Sequence, residues 1–500
     1  MSSRIKIKST PNLPIKWFLS LPLLTTWEDG RVKKVFRSLL QPITTSLIIL
    51  LLVSNLSAQT NTTTSSEGPT VVAVGEAEVE LARMLFAPVV EQGKLSKAQQ
   101  KLGANLNALF ANDFSFYRHK FSVRKPQGSL NQIYPSTPPY EELDKKGITH
   151  WSRLIISPAA KDAVRYRLEL FLVEKRTLVY NEAGLIASKG YRQEGHQLSD
   201  SLYQVITGKN SIFNSSILFV SDYGSTVKNP YKELYRVDFD GKNVRRLTNH
   251  RGTVISPAVS ADGSKVLYSL IRGHKKIQRG KRFRRNVDLY ILNLETGIRK
   301  LISSRPGLNS GAVFSPDGES IYLTMSFVGN AEIYRLSLRG RKLSRVTRNY
   351  AHDVDPSLSR VGEERMAFLS NRPGRAMIYT MDPRGTERSV KRISYVGQFN
   401  ATPRISPDGR EIAFSSWVDG RFDIYRINID GTALSRLTKD FGSNEDPSYS
   451  PDGEFLTFSS QRVLSVRKAV QNLYIMDRNG EILGSVTKNI GNCITPRWSN

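Results

Sequence analysis

Residues 309–347 read NSGAVFSPDGESIYLTMSFVGNAEIYRLSLRGRKLSRVT. Two apolar runs, 312–315 and 320–324, flank Ser315-Pro316-Asp317-Gly318. Proline presets φ at the second place of a type I turn, the serine before it can cap, and glycine takes the last position, so the two runs form a hairpin. A third run carries Glu332-Ile333-Tyr334, Gly340 marks a second hairpin turn, and Arg345-Val346-Thr347 is the return strand. One repeat therefore holds four strands.

The pattern recurs. Tyr235, Tyr290, Tyr334, Tyr379, Tyr425 and Tyr474 follow one another at spacings of 55, 44, 45, 46 and 49 residues. Hairpin glycines keep time with them at Gly241, Gly297, Gly340, Gly385, Gly431 and Gly480. Ser-Pro-Asp-Gly stands in full at 315–318, 406–409 and 450–453, reads Ser-Ala-Asp-Gly at 260–263, and is degenerate at 359–362. A four-stranded sheet of this size cannot bury both faces alone and must stack on neighbours. Six such sheets around an axis make a six-bladed β-propeller. An open β-solenoid is the alternative, but hairpin-linked units of four strands fit blades better. The first repeat has no inner strand ahead of Ser216-Ile217-Leu218-Phe219-Val220. Thr495-Pro496-Arg497-Trp498-Ser499 matches Asp446-Pro447-Ser448-Tyr449-Ser450 position for position, so the C-terminus is expected to complete that blade and remove two open edges.

Ahead of the repeats the period is absent, and helical and strand patterns interleave. Apolar Leu102, Leu106, Leu109 and Phe110 recur at helical spacing within 97–114. Shorter signals predict a strand at 83–90, a charged helix at 140–146, strands at 154–156, 166–173 and 178–191, and a helix at 196–207 ending on Gly208. The fold class is thus an all-β six-bladed propeller over 212–500, preceded by a small α/β domain over 71–211.

The chain of 500 residues carries a formal charge of +27 and one cysteine, Cys493, so no internal disulfide can form. Residues 1–58 hold eight Lys/Arg and two Asp/Glu. A positive region at 31–37 precedes an apolar run at 39–53, and Ser57-Ala58 offers small residues for cleavage. This is the order of a secretory signal peptide behind a long leader. The strongly apolar centre, 43–53, is shorter than the roughly 20 residues of a membrane span. Residues 59–70, rich in Thr, Ser and Asn, read as a flexible tail. An exported, basic protein rarely meets nucleic acid, which leaves anionic envelope surfaces or acidic partners for its charge. The densest run, Arg272 to Asn286, holds eight Lys/Arg and no acid, and fits contact with anionic polymer or lipid head groups as well as a solvated loop.

The stretches before the inner strands supply polar side chains in four repeats: Asn309-Ser310-Gly311, Asp353-Val354-Asp355, Asn400-Ala401-Thr402 and Asn444-Glu445-Asp446. They are expected at the channel mouth as a partner-binding rim, with Asn309, Ser310, Asp353, Asp355, Asn400, Thr402, Glu445 and Asp446 as its contacts. Local caps in solvated loops would use the same residues. Asp355 and Asp446 could together hold a cation such as calcium. No cofactor is otherwise expected. Catalysis has little support: there is no Gly-x-Ser-x-Gly elbow, and no repeated histidine stands before the inner strands, His352 being alone. A propeller enzyme or carbohydrate-binding module of unknown substrate remains the alternative function.

The combination of export segment, small α/β domain, Pro403-Arg404-Ile405-Ser406-Pro407-Asp408-Gly409 with its counterpart from Pro447 to Gly453, and terminal Pro496-Arg497-Trp498-Ser499 resembles the TolB family of the Tol–Pal envelope system. The resemblance covers roughly 71–500 and departs from the family in the long leader and in the basic insertion. It implies a non-enzymatic periplasmic scaffold, peripheral to the outer membrane. Such a scaffold binds the peptidoglycan-associated lipoprotein Pal over the propeller mouth, TolA through its N-terminal region, and other envelope proteins. It serves outer-membrane integrity and constriction at cell division.

Overall fold

The computed structural model describes residues 81–271, 286–362, 364–465 and 468–499. The expected signal segment, the tail at 59–70 and the basic insertion at 272–285 lie outside them. The chain from Leu81 onward is one compact unit.

Six four-stranded antiparallel sheets follow one another. Blade 3 shows the plan: Asn309–Phe314, Ser320–Met325, Glu332–Ser337 and Leu343–Arg345 run from the axis outward. Blades 2, 4, 5 and 6 begin with inner strands Thr253–Val259, Asp353–Leu358, Phe399–Ile405 and Ser443–Tyr449. Blade 1 takes Ser216–Ser221, Glu233–Asp238 and Arg245–Arg246 from the start of the ring and Cys493–Ser499 from the end of the chain. Trp498 faces Ile217 across that closing pair, as the matched motifs predict.

The repeated residues hold each blade together in a common way. In the first hairpin Ser315 Oγ accepts from Ser320 N at 2.9 Å, and Asp317 accepts from Glu319 N at 2.9 Å. Ser260, Ser406 and Ser450 repeat the serine bond, and Ser359 keeps it in the degenerate copy. The repeat tyrosine pairs across strands with an aromatic in five blades, as Tyr290 does with Tyr268 at 5.7 Å, a geometry worth about 1 kcal/mol beyond area burial. Two residues earlier sits a buried acid in several blades. Glu332 accepts from Thr347 Oγ1 and Arg345 Nη2, both at 2.6 Å, so the Arg-Val-Thr return strand is tied to its neighbour by side chains as well as backbone.

The preceding α/β part is a mixed sheet ordered Phe121–Arg124, Ala82–Phe86, His150–Pro158, Ala163–Leu172, Thr177–Ala187, with Val90–Glu91 beside His150–Pro158. Helix α1 (Lys97–Phe114) starts in a capping box of Ser96 and Gln99. The short helix α2 is Tyr140–Lys145 and the long helix α3 is Tyr191–Thr207, with Gly208 at φ 70 ending α3. The parallel strand Phe121–Arg124 was not expected, and α3 begins five residues earlier than its apolar spacing suggests.

The two parts share a core. Phe114, Tyr117 and Tyr203 pack in one cluster with Phe213, Phe239, Phe455 and Trp498. Tyr117 Oη donates to Asp452 at 2.6 Å and accepts from Ile212 N at 2.9 Å, and Lys120 reaches Glu454 at 2.9 Å. Arg192 on α3 pairs with Asp240 in the outer hairpin of blade 1. These contacts all fall on the end of the propeller where the Ser-Pro-Asp-Gly turns lie. The opposite end, called the mouth here, carries the loops leading into the inner strands.

Candidate functional site

The inner strands shape the channel through one repeated irregularity. Each loses register with its neighbour at the same place: Ile255/Ala258, Ser310/Val313, Val354/Ser357, Ala401/Arg404, Glu445/Ser448 and Ile494/Arg497. The first residue of each bulge has a left-handed backbone: Ser256, Gly311, Asp355, Thr402, Asp446 and Thr495, all with φ between 49 and 59. Holding five non-glycine residues there costs of order 1 kcal/mol or more each. The neighbouring blade helps to support them: Asp355 N donates to Thr324 Oγ1 at 3.2 Å, and Asp446 N to Ser415 Oγ at 3.1 Å.

This frame separates the residues singled out from the sequence. Asn309, Asp353, Asn400 and Asn444 share one register, two residues before the bulge, and are fully buried. Asn309 Nδ2 donates to Val287 O and Arg305 O at 2.9 and 2.7 Å, Asn400 Nδ2 to Val396 O at 3.0 Å, and Asn444 Nδ2 to Asp423 Oδ1 at 3.1 Å. Asp353 receives Arg372 at 2.7 Å. Asn309 and Asn444 thus tie their strands to the preceding blade, Asp353 and Asn400 bond within their own blade and its incoming loop, and none of the four forms an exposed rim, because a buried polar side chain must bond to what surrounds it. Ser310 is buried against Ser256. Asp355, Thr402 and Asp446 belong to the bulge register, so Asn309 and Asn400 are not equivalent to Asp355 and Asp446.

The bulge residues and the arginines after them fill the channel with charge. Arg404 donates through Nη1 and Nη2 to Asp355 Oδ1, both at 3.2 Å. Arg497 stands at the same position of the closing strand. Burial, followed by the charge of Arg404, pulls it down to about 9. Burial also lifts Asp446 above the usual carboxylate range against the pull of Arg497 and Arg404, and lifts Glu445 well above it. Thr402 Oγ1 bonds with Ser415 Oγ at 3.0 Å. Of the two carboxylates that the sequence suggests for a calcium-type cation, Asp355 is paired with the Arg404 guanidinium.

Among the described residues one His/carboxylate group has metal-ligand spacing: His196, Asp238 and Asp240. Its donors are engaged with protein. His196 Nδ1 meets Asp113 at 2.9 Å, its Nε2 lies 3.3 Å from Arg192, and Arg192 pairs with Asp240. It pins α3 to blade 1.

The mouth carries what the sequence reading missed. Tyr350 is 86% exposed, Tyr395 69% and Tyr223 52%, with Val227 and Val328 also exposed. All five sit in loops at the mouth end, between the strands of blades 1, 3 and 4 or just past them. Large rings held in solvent beside a channel suit contact with a second macromolecule.

Fold and site together define a six-bladed propeller with an α/β layer on its turn end and an aromatic-studded mouth at the other. Residues 203–500 match the family described as TolB beta propeller domain, and the chain belongs to that family. It is 34% identical over 181 residues to a protein named "Protein TolB homolog" from Chlorobium chlorochromatii, covering 36% of this chain and 37% of that relative. It is 26% identical over 354 residues to "Tol-Pal system protein TolB" of Francisella tularensis, covering 66% of this chain and 75% of the relative. The crystal structure of TolB from Acinetobacter baumannii superposes with a TM-score of 0.66 at 25% identity, over 85% of this chain and 98% of that one.

Proposed function

We propose that this chain acts as a non-enzymatic docking component of a Tol–Pal system in the periplasm. In this reading it holds a Pal-type lipoprotein over the propeller mouth, engages TolA through its N-terminal region, and supports the outer membrane during constriction. The single observation that carries the reading is the mouth itself. Exposed Tyr223, Tyr350 and Tyr395 stand in loops at the mouth end of a channel in which Asp355 and Thr402 are bonded within the protein. Tyrosine anchors of this kind carry most of the energy of protein interfaces. Behind them Asp355 and Thr402, part-exposed in the channel, are the residues singled out from the sequence that an inserted partner segment would meet. The test is calorimetric titration with the purified periplasmic part of the lipoprotein. Tyr350→Ala with Tyr395→Ala should weaken binding roughly 10- to 100-fold with no change in melting temperature. Equal affinity would move the partner site away from the mouth.

A further inference from the structure

We propose that the turn-end half of the propeller channel is a binding site for a small oxyanion of phosphate or carboxylate type. A cavity of about 130 Å³ lies there, lined by residues of all six inner strands or the turns that follow them. Three guanidinium-bearing residues, Arg360, Arg404 and Arg497, face it, and no carboxylate lines it. Asp355 and Asp446 belong to the bulge layer, on the mouth side of this space.

The arginines are short of partners. Arg497 makes no ion pair among the described residues, and its Nη1 donates only to the carbonyl of Pro496 at 2.6 Å. Arg404 donates through both Nη groups to one oxygen of Asp355 and through Nη1 also to Pro403 O at 2.6 Å, and leaves its buried Nε without a partner. Arg360 has no ion pair among the described residues. A cation withdrawn from water needs a counter-charge or several hydrogen bonds, and two guanidinium groups close together repel. Of the two channel guanidinium groups, Arg404 and Arg497, only Arg404 has an ion pair among the described residues, and burial pushes Asp446 toward its neutral form, which enlarges the positive excess; Arg360 stands exposed at the edge of the cavity. An oxyanion in the cavity would accept from the free edges of Arg404 and Arg497 and from Arg360, the planar forks that suit phosphate and carboxylate. Ser357 and Ser448 already receive Ile405 N and Trp498 N at 3.0 Å and keep their hydroxyl protons to donate. The volume admits an ion or a single acid group, not a polymer.

The experiment is a thermal-shift and calorimetric titration of the purified protein with sodium phosphate, in parallel with sodium acetate, against sodium chloride at matched ionic strength. A saturable rise in melting temperature with phosphate, acetate or both, beyond chloride, is expected. The pattern across the two anions tells phosphate from carboxylate chemistry. Arg497→Gln should abolish the response. Should that variant not fold, Arg360→Gln decides, because the residue is exposed at the cavity edge; it should weaken the apparent affinity by about tenfold. No saturable response above chloride, or an Arg360→Gln variant that binds as wild type, overturns the proposal.

Discussion

Replacing Trp498 by alanine tests whether the last strand closes the ring. The indole is 4% exposed and lies against Phe455 at 6.5 Å. Its Nε1 donates to Ser215 Oγ at 2.7 Å, and its backbone N donates to Ser448 Oγ in blade 6 at 3.0 Å. The side chain therefore joins blade 6, blade 1 and the segment leading in from the α/β part. Removing a buried tryptophan costs about 3–5 kcal/mol once the cavity is included. The lost bond adds about 1 kcal/mol, little more because Ser215 still donates to Ile212 O. At roughly 2 °C per kcal/mol the melting temperature should fall by about 8–12 °C. Differential scanning calorimetry reads this directly. Trp498→Phe, which keeps most of the volume, should cost about 1–2 kcal/mol. A Trp498→Ala protein melting within about 2 °C of wild type would refute closure by this strand, as would a phenylalanine variant as unstable as the alanine one. Deleting 495–500 should do more, since it also bares the edge of Ser216–Ser221 and invites aggregation.

Two further outcomes are expected. Asp355→Ala leaves the Arg404 guanidinium without its carboxylate and should lower stability by about 2–4 kcal/mol in urea titrations, whereas an unchanged midpoint would show that the pair is solvated. Glu454 is held down to about 2, first by its hydrogen bond from His119 and then by Lys120, against the opposing effect of burial. Its folded value lies below the unfolded 4.5, so the stability it contributes is complete above pH 4.5 and is lost as pH falls toward about 2. Glu454→Gln should flatten that part of the acid-stability curve, and an identical slope would show that Glu454 does not couple the α/β part to blade 6.

The repeat was legible because each of its parts is local. A Ser-Pro-Asp-Gly turn fixes a hairpin from four residues, and the tyrosine marks the strand that follows. Ring closure was legible for a different reason: a motif lacking at one end of the array stood at the other. The α/β part shows the limit. Phe121–Arg124 is four residues long and pairs in parallel with Ala82–Phe86, a contact with no turn signal between its partners. The start of α3 was misplaced because Gly190, at φ 95, caps it by conformation alone, and the polar first turn carries Arg192 for the ion pair with Asp240 and no apolar stripe.

Orientation within the channel was hidden by the bulge. In a regular strand, residues two apart share a face, so Asn309 and Gly311, or Asp353 and Asp355, would point the same way. The left-handed residue breaks that alternation in every blade. The earlier position is buried, its amide or carboxylate bonded to its own blade or the preceding one, and the later one lines the channel. Nothing in the local sequence of Asp355 demands a positive φ; the conformation is imposed by the ladder on one side and Thr324 of the preceding blade on the other. The exposed tyrosines were missed for the opposite reason. They lie in loops outside the repeat, among 20 tyrosines in the chain, and only their exposure distinguishes them. The division has an energetic consequence. The channel carboxylate Asp355 already bonds within the protein, so a partner gains little from it without first breaking a pair. The mouth tyrosines hold weaker contacts at the surface, a 3.4 Å bond from Tyr350 Oη to Arg372 O and Arg392 over the Tyr395 ring, so a partner that covers them gives up less.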